Sequence, residues 1–315
     1  MRYSTRSYPG APAGRDSARG ELIVGQIEVF KSVPVARLRD LIELGKPRLS
    51  MLVLFTAATG LAAAPAVDSA WRGVVFVIAT ACLVVAANTL NCWIEREIDA
   101  RMRRTCERPL PTGRLEPQVA LASGSFLAVV SLTTLALVTN PLTTILGLTA
   151  LVSYAAVYTP LKRFTPWSVI VGAVPGALPP LMGWTAATGD FGLGGWYLFG
   201  VLFFWQLPHF VAISVYLRED FMRGGLRVMS VAFSPSTVRR YIFVFTVVLV
   251  AWSLLPQLLG LAGTVYTVVA SVLGVVFLMY SAAGLRRSAG DAEARKVFLW
   301  SLLYLPFLIV AYLLG

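Results

Sequence analysis

Nine stretches of the chain, near 49–67, 73–91, 118–139, 142–158, 167–187, 195–217, 240–259, 264–284 and 297–314, run almost without a charged residue. At about 1.5 Å per helical residue, each can cross roughly 30 Å of hydrocarbon, some with help from tilt. The fold class this predicts is all-α: a polytopic membrane protein with nine transmembrane helices. Composition agrees, since 57% of the 315 residues are hydrophobic and only 14% are charged. A soluble domain of this length needs far more polar surface.

The basic residues orient the spans. With residues 1–48 placed in the cytoplasm, the alternate connections 92–117, 159–166, 218–240 and 285–296 fall on the same side. Together these five segments hold 26 of the 27 Lys and Arg residues. The opposite side holds only Arg72. This positive-inside asymmetry predicts a cytoplasmic N-terminus and an outer C-terminus. It also accounts for the net charge of +11 through orientation and anionic headgroups, so no nucleic-acid partner is needed. Residues 1–34 mix Arg, Ser, Gly, Ala and Pro without an apolar segment and predict a disordered cytoplasmic arm, with one domain over 35–315. The acids Asp16 and Glu21 in that arm argue for a bacterial plasma membrane over a mitochondrial inner membrane. Of three cysteines, Cys92 and Cys106 fall on the reducing side and Cys82 within a span, with no zinc spacing among them.

Chemistry is expected on the cytoplasmic side, where the connections are long and charged. "NCWIEREIDARMRRTCERPL" (91–110) carries nine formal charges directly after an uncharged span. Asn91, Glu95 and Asp99 are spaced i, i+4, i+8, which puts three oxygen donors on one helical stripe. Such a stripe suits Mg²⁺, which takes one or two carboxylates plus substrate phosphate oxygens. Arg103, Arg104 and Arg108 follow as cationic partners for a polyanion. The plainer alternative is a solvated helix end held by surface ion pairs. Carboxylates so close to membrane depth are costly, and that favours function.

A second charged connection follows "FFWQLPHFVAISVYL" (203–217). His209, Tyr216 and Asp220 are expected on one helical stripe, lining one cavity wall over three turns. Pro208 is expected to bend that span. His209 reads either as a ligand contact or as a hydrogen-bonded core histidine. "YTPLKRFTPW" (158–167) adds Lys162 and Arg163, which are either topology anchors or phosphate partners. "GAVPGALPPLMGW" (172–184), with three glycines and three prolines, predicts close packing and an irregular helix. Two acidic stations amid Arg and Lys can clamp a diphosphate through Mg²⁺, with a hydrocarbon chain in the apolar interior. Neutralising a departing diphosphate yields an allylic carbocation, which dry walls protect from water.

The block at 91–110 resembles the N-x-x-x-D-x-x-x-D and R-T-x-x-R-P-L signature of the UbiA superfamily of intramembrane prenyltransferases. Within it, "KPRLSMLVLFTAATG" (46–60), the 158–184 stretch, "WQLPHF" (205–210) and "REDF" (218–221) are similar to its heme-farnesylating branch. The resemblance covers about residues 40–230. It implies nine helices around a central cavity, and transfer of the farnesyl group of farnesyl diphosphate to a vinyl group of heme B, with water completing the product. It implies Mg²⁺–diphosphate at Asn91, Glu95, Asp99 and Asp220. It further implies diphosphate contacts at Arg104, Arg108, Lys162 and Arg163, and a heme contact at His209. Its implied partners are the lipid bilayer, both substrates, and a downstream heme A synthase or oxidase assembly factors. The sequence departs from the pattern at Glu95, where Asp is usual, at Phe221, where Tyr is usual, and at "RVMSV" (227–231). The second acidic site also lacks the superfamily's D-x-x-x-D.

Two alternatives stay open at this level. One is the same chemistry on an aromatic quinone precursor, against which "WQLPHF" speaks. The other is a transporter or heme-carrying membrane protein. With a single histidine in the chain, bis-histidine heme ligation within one chain is excluded.

Overall fold

The computed structural model describes residues 35–65, 69–286 and 290–315. The expected arm at 1–34 lies outside the described residues. Asp40–Gly315 forms one compact unit. Among the described residues there are helices and turns and no strand.

Helix α1 is Val35–Leu44, α2 Pro47–Ala62, α3 Ala70–Asp99, α4 Pro117–Val138 and α5 Pro141–Leu161. Then come α6 (Ser168–Thr188), α7 (Leu193–Tyr216), the short α8 (Arg218–Arg223) and α9 (Met229–Ala232), α10 (Pro235–Leu258), α11 (Thr264–Ala283) and α12 (Asp291–Leu314). Eight of these, α3 to α7 and α10 to α12, are long and apolar enough to cross a membrane. The ninth expected span, 49–67, corresponds to α2, whose 16 residues reach roughly 24 Å.

Proline sets several helix starts. Pro47, Pro117, Pro141 and Pro235 open α2, α4, α5 and α10, where a missing N–H costs nothing. Asn140 Oδ1 caps α5 by accepting from the Thr143 N–H at 2.9 Å. Inside α6, Pro175, Pro179 and Pro180 do not interrupt the helix, which is continuous over Ser168–Thr188. The expected irregularity lies instead in α5, where Ser153–Tyr158 is π-helical.

The glycines do what their spacing promised. A Cβ on Gly60 would stand 1.8 Å from the Pro180 carbonyl oxygen, and one on Gly183 would stand 2.0 Å from that of Ala57. Helices α2 and α6 therefore pack backbone to backbone, as small residues permit in a membrane. One apolar core gathers around α2 to α6, with Phe76, Leu83 and Met182 inside. A second lies among α7, α10, α11 and α12, with Trp205, Phe277 and Tyr304 buried. Large apolar side chains such as Phe126, Leu137, Val272 and Met279 point outward, as expected for a surface bathed in lipid.

The charged stretches extend the helices past their apolar spans. Helix α3 runs on eight residues beyond the expected end at 91, to Asp99, and α12 begins at Asp291 instead of 297. The acidic stripe is thus carried on a rigid helical extension.

Candidate active site

Asn91, Glu95 and Asp99 fall on one face of the last turns of α3, and all three are buried, at 2%, 4% and 1% exposure. The solvated helix end is therefore not what forms. A buried carboxylate must be paired and hydrogen-bonded, and here each is. Lys46 Nζ donates to Asn91 Oδ1 at 2.6 Å, and Asn91 Nδ2 donates to Glu95 Oε2 at 3.0 Å and Thr159 Oγ1 at 2.9 Å. Lys162 forms an ion pair with Glu95 Oε1, an oxygen that makes no hydrogen bond of its own. Arg108 donates to Asp99 Oδ2 at 2.8 Å. Amide, carboxylates and cations from four chain segments thus interlock in one network.

The loop after α3 folds back over this network. Thr105 Oγ1 donates to the Asp99 carbonyl at 2.9 Å, satisfying an orphan acceptor at the helix end. Burial opposes the charge on Arg108, but the Asp99 carboxylate outweighs it and raises the guanidinium above its ordinary pKa. Arg104 is shifted the other way, first by the surrounding protein and then by the neighbouring Arg108 charge. Arg104 is exposed as a residue, and its guanidinium lies over the Phe221 ring, 5.0 Å from the centroid. The change from Tyr to Phe at 221 thus leaves the aromatic face in use.

The second station differs from the single stripe that the sequence suggested. Helix α7 ends at Tyr216, and Leu217 leaves helical geometry at φ −99°, ψ 15°. Asp220 therefore belongs to α8, and His209 and Asp220 do not share a continuous helix. The buried Asp220 carboxylate accepts the backbone N–H of Arg103 at 3.0 Å through Oδ1 and that of Arg104 at 3.2 Å through Oδ2. It closes the arginine loop against α8. Arg227 N donates to the Lys162 carbonyl at 2.9 Å, tying the third charged connection to the second.

His209 and Arg163 stand apart from this network. The His209 ring stacks on Trp205 at 4.5 Å and packs against Phe298 at 4.9 Å, with Nδ1 2.7 Å from Ser301 Oγ. Pro208 leaves α7 continuous. Arg163 is exposed and donates to the Ile94 carbonyl at 3.3 Å.

Several participants escape a reading of charged spacing. Lys46 lies 45 residues before Asn91 in the chain, at the left-handed φ of 50° that turns α1 into α2. Its signal is the "KPR" at the mouth of the first span. Thr159 receives Asn91 and itself donates to the Tyr154 carbonyl at 2.8 Å, inside the π-helical turn. Nothing in a lone threonine announces that role.

Among the described residues, no three His, Cys, Asp or Glu side chains gather as a metal cluster. A site for Mg²⁺ with a phosphate ligand needs only one or two carboxylates. Glu95 and Asp99 with the Asn91 amide meet that need, and Glu95 Oε1, shielded from solvent and met by an ammonium alone, is suited to a cation.

The UbiA prenyltransferase family model matches residues 52–303. The chain is 54% identical over 277 residues to the protoheme IX farnesyltransferase of Anaeromyxobacter sp. (strain Fw109-5), covering 88% of this chain and 93% of that protein. A solved digeranylgeranylglyceryl phosphate synthase shares the fold at a TM-score of 0.76 and 16% identity, covering 88% of this chain and 98% of its own. A UbiA homolog from Archaeoglobus fulgidus, solved with GPP and Mg²⁺, does so at 0.63 and 16%, covering 87% and 99%.

Proposed function

The chain belongs to the UbiA prenyltransferase family, and we propose that it transfers a farnesyl group from farnesyl diphosphate to a vinyl group of heme B, giving heme O. The relatives named protoheme IX farnesyltransferase, 48% to 54% identical over most of the chain, supply the acceptor. The observation that carries the chemistry is the alternation of buried Asn91, Glu95 and Asp99 with half-buried Lys46, Lys162 and Arg108. Such a cluster is prepared for a ligand that brings both negative charge and a cation.

Asn91, Glu95 and Asp99 would hold Mg²⁺, which supplies positive charge to the oxygens of the leaving diphosphate. Lys162 and Arg108 then exchange their carboxylate partners, and Lys46 the Asn91 amide oxygen, for diphosphate oxygens. Arg104 and the rim residue Arg163 add charge at the mouth. The allylic C–O bond breaks with its electron pair leaving on the diphosphate, and these cations stabilise that charge as it develops. The farnesyl cation adds to the vinyl carbon, water adds to the resulting benzylic-type cation, and one proton is released. Asp220, expected among the metal ligands, accepts the Arg103 and Arg104 amides, one on each carboxylate oxygen. We assign it to positioning that loop. We assign His209 to the acceptor side, with its Nδ1 2.7 Å from Ser301 Oγ.

Incubation of membranes carrying the protein with heme B, farnesyl diphosphate and Mg²⁺, followed by mass analysis, should yield heme gaining a farnesyl group and water. Unchanged heme, together with prenylation of an aromatic quinone precursor, would replace the acceptor and keep the family chemistry.

A further inference from the structure

Beside the network, on the other side of the Arg103–Arg104 loop, a cavity of about 800 Å³ opens among α7, α8, α10, α11 and α12. Its size falls within the range of about 300–1,000 Å³ usual for small-molecule sites. Arg103, Arg104, Arg218, Arg223 and Arg239 line it. Four carboxylates do as well, but three are engaged within the protein. Glu219 pairs with Arg223 at 3.6 Å, Asp220 holds two backbone amides, and Glu293 accepts from Gly290 N at 3.0 Å. Among the described residues, Arg103, Arg104 and Arg218 make no ion pair. Arg218 directs its Nε to the Ser230 carbonyl at 2.8 Å.

The cavity is not polar throughout. Val215, Val238, Ile242 and Val297 also wall it, and Tyr216 meets the Phe298 ring at 5.6 Å. Phe298 in turn packs on His209. Arginines at a charged rim, apolar walls behind them, and an aromatic cluster beyond together match a ligand with a broad apolar body and an anionic edge. A bare diphosphate would leave the apolar walls unused.

We propose that this cavity binds the acceptor, with the two propionate carboxylates of the tetrapyrrole on Arg103, Arg218 and their neighbours. The inference rests on the reading that the acceptor is heme. Guanidinium groups match carboxylates in plane and can bind them through two parallel hydrogen bonds. Propionates at the rim leave the opposite, vinyl-bearing edge of the macrocycle directed into the protein. Arg104 and Asp220 belong to both places, so the acceptor cavity and the diphosphate network share a wall.

The test compares protoheme IX with its dimethyl ester, which keeps the macrocycle and vinyl groups and removes both negative charges. Each is titrated into the detergent-purified full-length chain by its Soret absorbance. Wild type should bind the free acid at least about tenfold more tightly than the ester, as loss of one or two charge-assisted bonds requires. Arg103→Gln, Arg218→Gln and the double variant should lose most of that preference, with ester affinity unchanged. Equal wild-type affinity for acid and ester overturns the proposal, a result that needs no variant to fold. So does a preference that survives in the folded double variant. Failure of wild type to bind either macrocycle would instead overturn the heme reading itself, and this inference with it.

Discussion

Asp99 and Asp220 are both buried carboxylates on the basic side of the protein, yet they face different partners. Asp99 meets the mobile end of a long side chain, Arg108, while Asp220 meets backbone amides that cannot move without refolding the loop. Side-chain partners can be exchanged for a ligand, and backbone partners cannot. Asp99→Ala should therefore abolish turnover in a protein that still inserts, and should remove the stimulation of farnesyl diphosphate binding by Mg²⁺. Asp220→Asn retains only one acceptor for two N–H groups, at a cost of about 1–3 kcal/mol for the one left unpaired. It should slow turnover while the Mg²⁺ concentration for half-maximal activity stays at the wild-type value. A rise of tenfold or more in that concentration would make Asp220 a metal ligand after all. Arg108→Ala should weaken farnesyl diphosphate binding by about 1.5–3 kcal/mol, the range for a hydrogen bond to a charged group. Arg286→Ala, in a connection away from the network, should leave it unchanged.

At the scale of elements, the turn carrying Lys46 is tied to α3, where Asn88 Nδ2 donates to the Gly45 carbonyl and to Ser50 Oγ, both at 3.2 Å. Lys46 stands immediately before α2, and α2 is held against α6 through Gly60 and Gly183. A methyl group at Gly60 would fall on the Pro180 carbonyl, which is backbone and cannot swing away. Gly60→Ala should lower the melting temperature in detergent by a cost of about 1–3 kcal/mol, the usual range for overpacking. It should also weaken farnesyl diphosphate binding from a distance by displacing Lys46. Gly290→Ala, where an added Cβ has nothing within 4 Å, should leave both measurements unchanged. Helix α3 is legible in the sequence as a span, and its extension to Asp99 follows once the stripe is read as helical. The break at Leu217 carries no Gly or Pro to announce it. It is favoured where α8 starts afresh, with Glu219 and Asp220 in its first turn near the positive end of the helix dipole.

At the scale of the whole molecule, every charged connection that enters the network or the cavity belongs to the side rich in Lys and Arg. The connections on the opposite side are short and nearly uncharged, as at 139–140 and 259–263. In a background with Cys82, Cys92 and Cys106 replaced by Ser, Asp190→Cys should react with a membrane-impermeant thiol reagent in intact cells. Arg286→Cys should react only after lysis. The reverse pattern would invert the proposed orientation and place both substrates' charged ends outside.

Length and hydropathy in the sequence determined the helical class and the spans, because hydrocarbon thickness fixes how many apolar residues a helix needs. The i, i+4, i+8 stripe was equally legible, since helical periodicity is set within a few residues by the backbone itself. The chain alone could not say which donor meets which acceptor. Lys46 with Asn91, Lys162 with Glu95, and Asp220 with the Arg103 amide join residues 45 to 117 positions apart. Those pairings were decided by how α2 packs on α6 and α7 on α12, and by the loops such packing brings together. Side-chain shapes at helix contacts determine that packing, and no local signal records them.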